Sequence, residues 1–120
     1  MARTIRLTVS VLLLKEQETW VAQCLEHDVA AQGDSIDEAL DNFGAVFTGH
    51  VMLDVREGRE PLTDIPQAPK VYWDRYNKGS RLDKTLPIRM PERLSSKDDL
   101  ISAAPPAWMV SAMAQELRVF

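Results

Sequence analysis

The chain has one cysteine, two histidines and, before residue 61, no proline at all. A single cysteine, Cys24, excludes an internal disulfide and a multi-cysteine zinc site, and it fits a reducing, cytoplasmic setting. The histidines, His27 and His50, lack the HxH or HExxH spacing of a metal centre. There is no GxGxxG, no phosphate-binding glycine loop, no Ser-His-Asp motif and no paired-carboxylate motif, so no cofactor or metal is implied. Long apolar runs are missing as well. The opening MARTIRLTVSVLLLKEQ sets Arg3 and Arg6 before an apolar stretch, as a signal peptide would. No small-residue cleavage site follows, and the run is too short to span a membrane. Its alternation reads as a strand instead.

What is present is ordinary for a globular protein: 120 residues, 45% hydrophobic and 27% charged, enough for one domain with a modest core. The net charge of −4 hides an asymmetry. Residues 1–60 hold 5 basic and 11 acidic side chains; residues 61–120 hold 9 and 7, together with all seven prolines. The chain divides into an acidic, proline-free half (1–60) and a mildly basic, proline-rich extension (61–120) packed on the same domain.

Period-two patterning places Ile5, Leu7, Val9, Val11 and Leu13 on one face of a strand over Thr4–Leu14. A polar hairpin loop, Lys15–Thr19, leads to strand Trp20–Leu25, and a third strand covers Val29–Gln32. Short connections make this an antiparallel meander. Gly33 then suits a sharp turn of positive φ. Ser35 and Glu38 form a capping box for a helix from Ile36 to about Glu57, with Gly58 as its stop. Ile36, Ala39, Leu40, Phe43, Phe47 and Val51 make one apolar stripe. Gly44 flanks that stripe and permits a close approach; Gly49 faces outward. Downstream, Glu60–Pro69 reads as a surface loop, Lys70–Lys78 as a short helix stopped by Gly79 in preference to a strand at Val71–Trp73, and Leu86–Met90 as an edge-type extended piece. Pro105-Pro106 opens a last helix, with Met109, Val110, Met113 and Leu117 on its apolar side, the alternative being an extended end over Leu117–Phe120. The expected fold is α+β: a three-stranded antiparallel sheet, one long helix on one face, and a Pro-rich C-terminal extension with a short helix.

The order Trp20-Val21-Ala22, Cys24, then Gln32-Gly33-Asp34-Ser35, then Glu38-Ala39-Leu40 resembles the N-terminal domain of the HicB-like antitoxins, over residues about 4–58. Phe43 continues the same helix. Members of that family usually carry a Pro-x-x-Pro-Gly-type loop between strands two and three; this chain has Leu25-Glu26-His27-Asp28 there. The resemblance implies a toxin–antitoxin interaction domain whose partner is a small basic mRNA-cleaving toxin. The family's repressors also bear a DNA-binding module, for which the C-terminal half shows no pattern.

Candidate chemistry is sparse. Glu26-His27-Asp28 sets an imidazole between two carboxylates, but neighbours in an extended loop point to opposite sides, so a solvated turn is the plainer reading. His50 is placed within the apolar stripe, one turn before Asp54, and forms either an oriented His–Asp pair or a hydrogen bond at the core rim. Cys24 shares a strand face with Trp20 and Ala22, as a buried thiol does. Lys70–Lys97 interleaves basic residues with Tyr72, Trp73 and Tyr76, a nucleic-acid-like composition; the acidic whole argues against direct nucleic-acid binding. The reading from sequence is therefore a cytoplasmic HicB-like interaction protein. Its rival is an orphan oligomeric ligand-binding protein or small enzyme using His50, Asp54 and Glu26. The two edges of a three-stranded sheet, and the face one helix leaves bare, predict a homo-oligomer, a dimer or dimer of dimers.

Overall fold

In a computed structural model, residues 2–88, 93–95 and 107–120 are described. Among them the elements follow in the order β1 (Ala2–Glu16), β2 (Thr19–Cys24), β3 (Ala30–Gly33), α1 (Ile36–Arg56), α2 (Lys70–Lys78), β4 (Ser80–Leu82), β5 (Arg93–Ser95) and β6 (Ala107–Val119). The meander forms as its pattern predicts. Glu16 pairs with Thr19 and Trp20 with Gly33, both antiparallel. The β1–β2 connection is tighter than expected, a two-residue turn at Gln17-Glu18. Gln17 takes the positive φ of 57° that the first position of such a hairpin turn demands.

The sheet is larger than the sequence reading. It is mixed and six-stranded, in the order β3-β2-β1-β6-β4, with β5 also on β6. The segment read as a closing helix is β6, and it runs parallel to β1 from Ala2↔Ala107 to Leu13↔Val119, with a register shift between Ile5 and Arg6. The physical reason is the ladder. A 15-residue β1 leaves a row of unpaired N–H and C=O groups along its second edge. Pairing that row outweighs the small helix preference of the C-terminal segment.

β1 is buried on both faces. Leu7, Val9, Val11 and Leu13 join Ala22, Cys24, Val29 and the α1 residues Ala39, Leu40, Phe43, Phe47, Val51 and Val55 in the main core. Leu12 and Leu14 face the other way, with Leu25, Ala68 and Tyr76, and Val21, Tyr72 and Trp73 pack against them. So helices lie on both faces, α2 covering the one that a single-helix fold would leave bare. Of the two edges and the bare face behind the dimer expectation, this chain fills the β1 edge and covers the face itself, while β3 remains an edge strand.

α1 follows its signals closely. Ser35 is the N-cap in extended geometry, its Oγ accepting from the Glu38 N–H at 3.1 Å. The Glu38 carboxylate accepts from the Asp34 N–H at 3.3 Å, one residue earlier than a capping box would reach. Gly58 ends the helix at φ 78°. Gly33 corrects the turn reading: its φ is not positive. A Cβ there would stand 2.6 Å from the Ala39 nitrogen, so glycine serves the close approach of the helix start. Gly44 admits the Pro87 backbone, against which any Cβ would collide. The Glu60–Pro69 loop is not wholly superficial, since Leu62 is fully buried and Ala68 nearly so. Of the extended piece Leu86–Met90, the described part, Leu86–Ile88, belongs to no strand; 89 and 90 lie outside the described residues.

Candidate functional site

A polar cluster joins β1, the loop after β2, α2 and β6. Ser10 stands mid-way along β1, where its partner across the parallel ladder is Glu116. Its Oγ donates to Glu26 Oε2 at 2.6 Å, and its backbone N–H donates to Glu26 Oε1 at 2.8 Å. Tyr76, brought over by α2, donates its hydroxyl to Glu116 Oε2 at 2.7 Å. Arg118, two residues along β6, lays its guanidinium 4.8 Å from the Tyr76 ring centroid and sits 3.4 Å from Glu116 as an ion pair. Burial, and then the hydrogen bond to Glu116, push the Tyr76 phenol up to about 12. The Tyr76 hydroxyl, ahead of Arg118 and Arg81, holds the Glu116 carboxyl below its ordinary range.

A phenol at that pKa is a donor and not a base at neutral pH. Ser10 faces a carboxylate without an intervening imidazole, so it lacks the base that activates a serine nucleophile. Both Glu26 oxygens and Glu116 Oε2 already receive donors. What this geometry does is tie α2 and β6 to the centre of β1. Cys24, with its Sγ 3.7 Å from Glu26 Oε1, is fully buried, and that burial lifts the thiol to about 11. It is a thiol and not a thiolate, and so poorly nucleophilic.

The remaining residues singled out by sequence fall as follows. Glu26 joins the Ser10 cluster, whereas Asp28 accepts from Gln23 Nε2 at 2.9 Å; the triplet does not converge. His50 is exposed, not in the apolar stripe. Asp54 turns instead to the following loop, accepting from Arg59 Nη2 at 3.1 Å and from the Leu62 N–H at 2.8 Å. That second bond holds a buried leucine at φ 65°, a left-handed conformation that non-glycine residues seldom adopt. The His50–Asp54 pairing is thus replaced by a loop clamp. Trp73 and Tyr76 pack in the second core, Lys84 pairs with Asp37, and Lys70 with Asp74, so much of the basic–aromatic segment is spent internally. A shallow open groove of about 330 Å³ lies over Gln67, Ala68, Lys70 and Trp73. Among the described residues no cluster of three or more His, Cys, Asp or Glu stands ready to hold a metal ion, and no helix is long and apolar enough to cross a membrane.

The motif residues sit at one end of the meander. Trp20, second in β2, stands opposite Gly33, Gln32 precedes Gly33 on β3, Ser35 caps α1, and Glu38, Ala39, Leu40 and Phe43 lie in its first turns. This end also gathers exposed carboxylates: Glu16 and Glu18 at the hairpin, Asp34, Asp37 and Glu38 at the helix start. Sequence reasoning saw these acids as a half-chain excess; the Trp20↔Gly33 register brings them together. It missed Ser10, Glu116 and Arg118, whose only signal was a polar residue interrupting an apolar strand. No protein-family model, no curated protein and no solved structure matches this chain.

Proposed function

We propose that the chain is a protein-interaction domain of the HicB-like antitoxin type, which neutralises a small basic mRNA-cleaving toxin by binding it. The observation that carries this reading is the acidic end of the β2–β3–α1 unit. Five exposed carboxylates surround it, and β3 is an edge strand of the sheet. An edge strand offers backbone groups to an incoming segment, and the carboxylates favour a basic one and steer its approach. The chemistry of the described residues is in keeping with a binding role, since Ser10, Cys24, Glu26 and Tyr76 are engaged with one another or with the core. The test is recovery of the full-length tagged chain from its host with its bound proteins. The expected result is a small basic protein whose RNA cleavage stops when the purified chain is added back. Glu16→Lys with Glu18→Lys should weaken that inhibition, and more so as salt is lowered, because added positive charge repels the partner. A partner with no RNA-cleaving activity, or inhibition indifferent to the charge reversal, would overturn the proposal.

A further inference from the structure

Helix α1 is apolar on two opposite sides. One side, with Leu40, Phe43, Phe47, Val51 and Val55, is buried in the main core. At 3.6 residues per turn the far side carries Asn42, Ala45, Val46, Gly49, Met52, Leu53 and Arg56. Val46, Met52 and Leu53 are 39%, 47% and 53% exposed, and a Cβ at Gly49 would meet nothing within 4 Å. A surface helix ordinarily turns charge outward there, and a contiguous apolar patch marks a contact surface.

We propose that this face pairs with the same face of a second copy, antiparallel, about a twofold axis beside Gly49. The pattern along the helix argues for that occupant. A twofold sets residues on the same flank, equally far before and after Gly49 to within one residue, against each other. Val46 then meets Leu53 of the partner subunit on one flank, and Ala45 meets the partner's Met52 on the other. Gly49 and Ala45 lack bulk at the crossing, so the axes come close. Seven residues after Gly49 stands Arg56, and eight before it stands Asp41; the offset along the axis is about 1.5 Å. Both lie on the same flank of the seam, so each Arg56 faces the partner's Asp41. Among the described residues, neither side chain forms an ion pair of its own. A wholly basic or wholly acidic partner would match one end of this face and be repelled at the other. A copy of the chain, reversed, matches both, and the two helix dipoles also oppose each other. The proposal does not rest on the antitoxin reading: the seam runs along α1 from Asp41 to Arg56, whereas the acidic end reaches α1 only at Asp37 and Glu38 and is probed at Glu16 and Glu18.

About four helical turns in contact make a small interface, so association is concentration-dependent. Sedimentation equilibrium of the full chain at about 100 μM, a range in which weak pairs populate, should give twice the 13.5 kDa chain mass. Leu53→Glu should leave a monomer with an unchanged far-ultraviolet spectrum, because the site is exposed. Asp41→Arg should weaken pairing about tenfold, and adding Arg56→Asp should restore it, as expected of a close charge pair. Gly49→Cys should give an oxidised, disulfide-linked dimer, Cys24 being buried. A monomeric wild-type chain, a dimer that survives Leu53→Glu, or a Gly49→Cys chain that does not cross-link would overturn the proposal.

Discussion

Leu62 shows how one carboxylate can fix a loop. Its backbone sits at φ 65° with the side chain fully buried, and the Asp54 carboxylate receives its N–H. A left-handed leucine is strained by about 1–2 kcal/mol; the hydrogen bond and the burial offset this. Asp54→Ala should therefore destabilise by about 1–3 kcal/mol, the usual result of orphaning a partly buried donor. Urea unfolding is the measurement, and a neutral result would mean that Leu62 is held by packing alone. Tyr76 makes a different prediction. Its folded pKa is raised to about 12 from an ordinary 10, so the neutral phenol is favoured by folding. The stability it adds is fully present below pH 10 and is lost as pH rises towards about 12. Cys24, raised to about 11 from 9, loses stability in an overlapping window. In a Cys24→Ala background, thermal melts should decline through the Tyr76 window, and Tyr76→Phe should flatten that decline. At the acid end the sign reverses: Glu116 is depressed, so its contribution fades as pH falls through its folded pKa.

At the scale of elements, α1 supplies the two largest fully buried side chains of the core. Phe43 and Phe47 are both fully buried, with ring centroids 5.6 Å apart and tilted. Phe43→Ala should cost about 3–5 kcal/mol, and Ser35→Ala about 1 kcal/mol through the lost cap. If denaturant curves place the two substitutions level, the helix is not held chiefly by its buried face. α1 was legible because its signals are local: a capping serine, a period of 3.6 and a glycine at the stop. The β1–β2–β3 meander was legible for the same reason. β6 was not. Met109, Val110, Met113 and Leu117 fit a helical stripe, and nothing within 107–119 states that β1 has an empty edge. Leu117 resolves the conflict in three dimensions, pairing with both Val11 and Leu82 and becoming buried between them.

For the molecule as a whole, β6 is the element that makes the two halves one body. It supplies the second edge of β1, receives β4 and β5, and brings Glu116 and Arg118 to Tyr76. A chain ending before residue 107 should lose cooperative unfolding, because β1 would present a long apolar strand with an unpaired edge, a template for aggregation. Cys24 gives a sensitive readout. In the intact chain a thiol reagent should modify it only after denaturation, whereas the truncated chain should react under native conditions. Slow labelling of the truncated protein would show that the meander and α1 stand alone.

The sequence by itself determined the local grammar: the order of the first four elements and their bounds to within about two residues, which side of α1 is buried, and that Cys24 and Trp20 share a strand face. These follow from periodicity and capping, which act over a few residues. Only the tertiary structure decided which strands became neighbours. The parallel β1–β6 ladder, the clamp of Asp54 on Leu62 in place of a His50–Asp54 pair, and the meeting of Ser10, Glu26, Tyr76, Glu116 and Arg118 join residues far apart along the chain. Such contacts are set by the need to pair buried backbone groups and to cover both faces of a long apolar strand. That demand belongs to the assembled sheet, and no single segment carries it.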